Sequence, residues 1–405
     1  MQATDTGLID PRELMKQLTV EELCQTAEEY FASRKNWDDA LAKPFSGIYD
    51  TPHLLIAFAH VLQGLELVPE MSILDFGAGS CWASKWLTQL GLRVYALDVS
   101  PTALRIGKAR YARQPVFGDR PSPRFVVSNG RKIPLGDGSL DRIICLDTFH
   151  HIPNQAEVLS EMSRVLKKGG IAGFSEPGPD HSKTPQSQSE MRNFKVLEND
   201  IVIREIWFKA KRAGFARMML AVFNPELFVL PLAEFEDYLS LDGGTANQRF
   251  ARSTQALMQD RRLFFLYKEG EKAPLDSRQR GGLKAQLNVT LLSAKAKAGT
   301  PFIANVVARN SGQAVWLPIT TRIGSVSLGC HLLDATGKIL EYDYFRHPLT
   351  PDARAILPGQ TAEFQIRIPS PPRGRYVLEF DLVSESVCWF TLNGSQTIRL
   401  AVEVF

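Results

Sequence analysis

The run Ile73-Leu74-Asp75-Phe76-Gly77-Ala78-Gly79-Ser80-Cys81 constrains the fold of this chain more than any other stretch. An apolar strand ends in an acid, a glycine turn follows, and the residues from Ala83 to Leu90 have helical spacing. The two glycines permit a tight turn and let the backbone approach a ligand closely. A doubly wound sheet builds its ligand site in this way, at the carboxyl end of its first strand.

The alternation then repeats. The pattern predicts strands at Ser72 to Phe76, Arg93 to Asp98, Arg124 to Val127, Asp141 to Leu146 and Ile171 to Glu176. Helical spacing falls between them at Thr102 to Ala112 and Gln155 to Leu166. Strands separated by helical segments imply βαβ crossovers and an α/β fold with a mostly parallel, doubly wound, Rossmann-like sheet. Ahead of it, Pro11 to Ser33 suits one or two amphipathic helices and Pro52 to Leu65 another. The polar stretch EPGPDHSKTPQSQSE, from Glu176, reads as a long loop. A helix over Val202 to Ala213 precedes the run GFARMMLAVF, and RRLFFLYKEG reads as a last buried strand. Asn224 to Asp260 reads as a helical insertion between these two strands, a candidate lid over a substrate pocket.

Past residue 270 the pattern changes. Runs such as FIANVVARN, AEFQIRI and RYVLEFDLV alternate apolar and polar residues, with turn signals at Thr336-Gly337, Pro358-Gly359 and Asn393-Gly394. Many short strands with hardly a helical period predict an immunoglobulin-like β-sandwich. The expected organisation is a helical N-terminal region over residues 1–44, an α/β domain over 45–270, a polar linker over 271–282 and the sandwich over 283–405. A chain of 405 residues is too long for one ordinary core.

A hydrophobic fraction of 44% and a charged fraction of 22% are those of a soluble globular protein. The net charge of +3 gives no argument for a nucleic-acid partner. Cys24, Cys81, Cys145, Cys330 and Cys388 are scattered without a C-x-x-C pair, which argues for reduced thiols and a cytoplasmic location. No secretory signal is visible, and the most apolar stretches are interrupted, so no transmembrane segment is expected.

Asp75, directly before the glycine turn, is a poor neighbour for a phosphate, and Trp82 stands where a dinucleotide fingerprint wants its third glycine. The loop therefore suits a cationic ligand, such as the amino group of a methionine moiety. Val94-Tyr95-Ala96-Leu97-Asp98 is a second apolar strand ending in an acid, placed to accept both hydroxyls of a ribose or to cap the next helix.

With these residues in order, and with VVSNGRKIPLGDGSLDRIICLDTFHHIPN after them, residues 70–178 resemble the class I S-adenosylmethionine-dependent methyltransferases of the type 11-like branch. The resemblance implies S-adenosyl-L-methionine as cofactor. It places Asp75, Gly77 and Gly79 at the methionine end, Asp98 at the ribose, and Asn129 with Gly130 at the adenine; Ala78, Val99 and Asp147 belong to the same site. Family members commonly carry Asp where Asn129 stands, and the amide oxygen can still accept a hydrogen bond from adenine. The segment after Glu176 and the appended sandwich are similar to bacterial surface-glycan methyltransferases. That likeness implies a glycan or small-molecule acceptor, foremost a sugar hydroxyl in polysaccharide biosynthesis. Methylation of a quinone precursor and a non-catalytic cofactor-binding scaffold are the alternatives.

Methyl transfer is an in-line displacement, so donor and acceptor must be aligned within about 3 to 3.5 Å. A hydroxyl acceptor also benefits from a base within hydrogen-bond reach. His150, His151 and His181 are the candidates, with Asp147 and Glu176 nearby at the strand tips. His151 equally suits packing, and His181 equally suits an exposed loop. The histidines show no H-x-x-x-H or H-E-x-x-H spacing and no carboxylate cluster can be assembled, so no metal site is expected. Asn199 and Asp200 read as helix caps, and Phe194, Trp207 and Phe208 fit core positions. Trp316, Trp389 and Phe390 read either as sandwich core or as a sugar platform.

Overall fold

The computed structural model describes residues 7–224, 226–240, 244–271, 274–349 and 354–405. Residues 1–6 of the expected N-terminal region, 225 and 241–243 of the expected insertion, and 272–273 of the expected linker lie outside them. The chain divides into two compact units, Met1–Lys272 and Ala273–Phe405.

In the first unit, α1 (Pro11–Gln17) begins behind Asp10, and α2 (Val20–Ala32) begins in a capping box between Thr19 and Glu22. Two further helices, α3 (Asp38–Ala42) and α4 (Asp50–Gly64), lead into β1 (Ser72–Phe76). There follow α5 (Trp82–Gln89), β2 (Arg93–Asp98), α6 (Pro101–Arg113), β3 (Arg124–Val127), β4 (Leu140–Leu146), α7 (Gln155–Val165) and β5 (Leu166–Pro177). The unit closes with α8 (Pro185–Phe194), α9 (Ile203–Arg212), β6 (Phe215–Leu220), α10 (Leu232–Leu239), α11 (Thr245–Asp260) and β7 (Arg261–Lys268).

The strands form one seven-stranded sheet in the order β3-β2-β1-β4-β5-β7-β6. The five strands from β3 to β5 are parallel, and β7 runs antiparallel to both β5 and β6. Both faces are covered, which is why the central strands read as continuous apolar runs. Successive residues of β1 serve opposite cores: Leu74 packs with Phe149, Phe174 and Phe264, whereas Ile73 packs with Val94, Leu87 and Leu263. The chain runs outward from β1 to β3 and returns to β4 beside β1. The carboxyl ends of β1 and β4 therefore flank the topological switch point, where such sheets open a crevice.

Several local expectations are corrected. The polar stretch after Glu176 is not a loop: His181–Lys183 form a short 3₁₀ turn and α8 follows. Thr184 caps α8 by accepting from the Ser187 N–H at 3.2 Å, and Pro185 occupies the first turn, where its missing N–H costs nothing. Asn199 and Asp200 do not cap α9, whose cap position is Val202. Asp200 instead accepts from the Ser182 N–H at 2.8 Å, and Asn199 Nδ2 donates to Ile152 O at 3.3 Å. Phe208 is 63% exposed and Phe194 43%, so neither is a core residue, while Trp207 packs against the core beneath the sheet.

The second unit contains β8 (Ala285–Leu291), β9 (Lys295–Ala296), β10 (Phe302–Asn310), β11 (Val326–Asp334), β12 (Ile339–Pro348), β13 (Thr361–Ile368), β14 (Gly374–Ser384), β15 (Cys388–Trp389) and β16 (Ile398–Val404). They form two sheets, β13-β10-β8 and β12-β11-β14-β16-β9, with β15 paired to β14. Along β10, Phe302, Ala304, Val306 and Ala308 alternate into a core shared with Leu328 and Phe380 of the other sheet. Trp316 and Phe390 are buried in that core, edge to face at 5.4 Å, so neither can serve as a sugar platform. Trp389 lies beneath the Arg346 guanidinium at 4.4 Å. Among the described residues, no helix is long and apolar enough to cross a membrane.

Candidate functional site

The turn after β1 places Gly77 at φ 72° and Gly79 at φ 51°, a left-handed conformation that side chains resist. The N–H groups of Gly77 and Ala78 both donate to Leu97 O at 2.9 Å, tying the loop to β2. A Cβ on Gly77 would stand 2.0 Å from Thr148 Cγ2, so the loop is also pressed against the chain leaving β4. Asp98, at the tip of β2, accepts from the Gly79 N–H through Oδ2 and from the Ser100 N–H through Oδ1, both at 2.8 Å. Each oxygen keeps lone-pair capacity for a further donor. Burial raises the Asp98 carboxyl above its usual range, and these bonds oppose that rise.

A cavity of about 890 Å³ opens at this point. Gly77, Ala78, Gly79, Asp98 and Val99 line it, as do Gly130 and Asp147. Asp75 and Asn129 do not line it. The Asp75 carboxylate turns toward α5 and accepts from Ser84 Oγ at 2.5 Å, and burial pushes it up to about 6. The Asn129 amide oxygen accepts from the N–H groups of Arg131 and Lys132 at 3.0 and 2.9 Å, shaping the turn that presents Gly130.

The cover over this cavity comes from the N-terminal region. Cys24, Ala27 and Phe31 of α2 line it, and of the insertion over 224–260 only Asp260 does so among the described residues. That corrects the expected lid. Two networks hold the cover: half-buried Glu28 accepts from Ser100 Oγ at 2.5 Å and from the Thr102 N–H at 3.0 Å. Arg110 of α6 donates to the carbonyls of Ser80, Leu41 and Lys43 at 2.8, 2.9 and 2.8 Å, and to that of Ala40.

The far end of the cavity is organised by Glu176, fully buried at the tip of β5. Its Oε1 accepts from the N–H groups of Thr148 and Phe149 at 3.1 and 2.9 Å. Its Oε2 accepts from the His150 N–H at 3.3 Å and from His150 Nδ1 at 2.7 Å. A short 3₁₀ turn, Phe149–His151, starts here, and its unsatisfied N–H groups explain why a carboxylate is stable beneath it. Both oxygens of Glu176 are engaged, so it positions His150. Because a carboxylate only accepts, Nδ1 of His150 carries the hydrogen and Nε2 is left facing Glu198 Oε2 at 3.7 Å.

His181 Nε2 lies 2.7 Å from the same Glu198 oxygen, and Ser187 Oγ is 3.2 Å from both groups. His151 Nδ1 donates to Leu197 O at 2.7 Å. Burial disfavours the His150 cation, but Glu176 and Glu198 outweigh burial and raise its pKa. Burial, then the neighbouring His150 charge, pushes His151 down to about 4, although a side chain 36% exposed limits that push. Burial acts to raise Glu198, and the surrounding histidines overcome it and hold the carboxyl below its usual range. Asp147, at φ 46°, pairs with Arg261 Nη1 at 2.8 Å; that charge outweighs burial and keeps the carboxyl low.

The three predicted histidines thus share one wall of the cavity with Glu198 and Ser187, which the sequence reading passed over. Three of these groups also come together in space. His150, His181 and Glu198 each bring one donor atom within 4.8 Å of the others, although no local spacing announces it.

A parallel sheet with a glycine loop after β1 and an acid at the tip of β2 is the arrangement of a class I methyltransferase. Residues 74–174 match the methyltransferase domain family, and this part of the chain is an S-adenosyl-L-methionine-dependent methyltransferase domain. A demethylmenaquinone methyltransferase of Renibacterium salmoninarum is 30% identical over 142 residues, 34% of this chain and 56% of that protein. A sterol 4-C-methyltransferase of Caenorhabditis elegans is 28% identical over 111 residues, 27% of this chain and 32% of that protein. The chain therefore spans about half, or less, of the length of these curated relatives. Among solved structures, geranyl diphosphate C-methyltransferase from Streptomyces coelicolor, with Mg2+, geranyl diphosphate and S-adenosyl-L-homocysteine, aligns with a TM-score of 0.42 at 17% identity. The alignment covers 61% of this chain and 97% of that one.

Proposed function

We propose that the protein transfers the methyl group of S-adenosyl-L-methionine to an oxygen of a polar, hydroxyl-bearing acceptor. The observation that carries this reading is the buried Asp98 carboxylate, held by the Gly79 and Ser100 N–H groups at the cavity wall with capacity for two hydroxyls. When bound, the cofactor supplies a methyl group on a positively charged sulfur. Asp98 would hold the ribose hydroxyls, the Gly77–Gly79 backbone would face the methionine end, and Val99 with Gly130 would flank the adenine. Asp75 fixes the loop through Ser84 rather than touching the ligand. The acceptor occupies the end walled by His150, His181, Glu198 and Ser187, groups able to take up its proton or orient its hydroxyls.

That polar wall supports a saccharide or similarly hydroxylated acceptor. A quinone-type acceptor is the second reading, supported by the likeness to a demethylmenaquinone methyltransferase. We read the second unit as an immunoglobulin-like sandwich on the strength of its two packed, mainly antiparallel sheets. A cytoplasmic location is supported by five unpaired cysteines.

Calorimetric titration of the full chain with S-adenosyl-L-methionine and S-adenosyl-L-homocysteine tests the cofactor assignment. Asp98→Asn removes the charge and turns one acceptor oxygen into an NH2 that cannot accept from Gly79 or Ser100, and is expected to weaken binding about tenfold or more, equivalent to one charge-assisted hydrogen bond. Unchanged affinity would sink the assignment. Labelled-methyl transfer to sugar nucleotides, glycan extracts and quinone precursors then separates the two acceptor readings.

A further inference from the structure

We infer that His150, His181 and Glu198 form a binding site for one divalent transition-metal ion of the zinc type. The ion's role, holding an oxygen of the acceptor, rests on the methyl-transfer reading above; its binding does not.

The donor set is two imidazoles and one carboxylate, which suits zinc and related ions better than magnesium or calcium, whose ligands are oxygens. The three donor atoms lie within 4.8 Å of one another, with 2.7 Å from His181 Nε2 and 3.7 Å from His150 Nε2 to Glu198 Oε2. Donors about 2.0 to 2.1 Å from a tetrahedral ion stand about 3.3 Å apart, between these two separations. The two separations to Glu198 thus bracket that of a tetrahedral pair.

An independent feature points the same way. A metal-bound histidine characteristically gives its other ring N–H to a carboxylate, which sets the tautomer and aims the ligating nitrogen. Glu176 performs this for His150, and it is itself immobilised by three backbone N–H groups. A further carboxylate oxygen on the cavity wall, Glu190 Oε2, is buried without a hydrogen-bond partner. Three protein donors leave a tetrahedral ion one open position, as in zinc sites that act on substrates.

The test uses the full chain, stripped with a chelator and titrated with Zn2+ by calorimetry and with Co2+ by visible absorption. The proposal expects one equivalent of each ion and the intense visible bands of four-coordinate Co2+. Loss of even an outer partner costs about 10- to 100-fold in metal affinity, so His181→Ala and Glu198→Gln should each cost at least about 100-fold. His347→Ala, a histidine of the second unit, should leave binding unchanged. If Glu198→Gln fails to fold, His181→Ala suffices, because that ring is partly exposed and lies outside the core. No stoichiometric binding by the wild type, or binding that survives both variants, overturns the site. Titrating the same samples with S-adenosyl-L-methionine keeps the two readings apart. Metal binding without cofactor binding would end the methyl-transfer reading alone, and cofactor binding without metal would end this one alone.

Discussion

Replacing Glu176 by glutamine exchanges one buried oxygen for an NH2 group and should be among the costliest conservative changes in the first unit. The carboxylate accepts from three backbone N–H groups and from His150 Nδ1. In the variant the amide oxygen can serve Thr148 and Phe149, but the NH2 then faces two donors. The imidazole can shift its hydrogen to Nε2 and accept at Nδ1, which leaves the His150 N–H orphaned at about 1 to 3 kcal/mol. The two bonds to the amide oxygen lose charge assistance, about 1 kcal/mol each, for a total of about 3 to 5 kcal/mol, in line with breaking a buried charged pair. For a unit of this size the melting temperature falls about 2 to 4 °C per kcal/mol, so calorimetry should record a drop of at least about 6 °C. Proton–nitrogen correlation spectra should move the His150 hydrogen from Nδ1 to Nε2. A drop below about 2 °C, or an unchanged tautomer, would refute the assignment of Glu176 as the anchor of this turn.

Gly77→Ala forces a side chain into φ 72° at about 1 to 2 kcal/mol and into contact with Thr148. Denaturation and cofactor calorimetry should both register it, and adding Thr148→Gly should recover only the steric part; equal stability of Gly77→Ala and wild type would contradict the loop geometry. Asp75 carries a pH signature. Burial lifts its folded carboxyl to about 6 from 3.8, so the folded state holds a proton that the unfolded chain has released, and stability falls as pH rises through that window. The wild type minus Asp75→Asn difference in unfolding free energy should therefore decline by up to about 3 kcal/mol from pH 4 to 6 and then flatten; a flat difference curve throughout would remove the effect. Arg110→Lys keeps the charge but cannot reach the carbonyls of Ser80, Ala40, Leu41 and Lys43 together. Hydrogen exchange over residues 36–46 should accelerate, and unchanged protection would show that the N-terminal cover is held by other contacts.

The sheet was legible because local pattern and global fold agree along it. Ile73, Leu74, Ile143 and Ile144 are apolar because both faces are covered, and the periodicity changes at each strand end where a helix begins. Local rules failed where one residue type carries two meanings. Pro185 read as a breaker in a polar loop, yet at the first turn of a helix, behind a capping Thr184, it is a start signal. The lid expectation failed for a different reason. An insertion between β6 and β7 says nothing about which side of the sheet it will cover, and Arg110, which ties residues 40–43 to the glycine loop, acts across a separation no window spans.

The acceptor end shows why spacing rules find metal sites on single helices and miss those built at strand tips. Its donors come from the 3₁₀ turn after β4, the turn after β5 and the chain beyond α8, so no window of the sequence holds more than one segment. What unites them is the register of two neighbouring strands. Leu146 pairs with Ser175, which sets Glu176 opposite Asp147 and beneath the N–H groups of Thr148, Phe149 and His150. Read from composition alone, Glu176 is one more carboxylate among the candidate bases. Read from that register it has to be the anchor, because the turn after β4 offers it four donors. Its hold on Nδ1 in turn decides that Nε2 of His150 is the nitrogen left for chemistry. A one-residue slip of β5 against β4 would move Ser175 or Pro177 into that position, and neither offers a carboxylate to the turn or to His150.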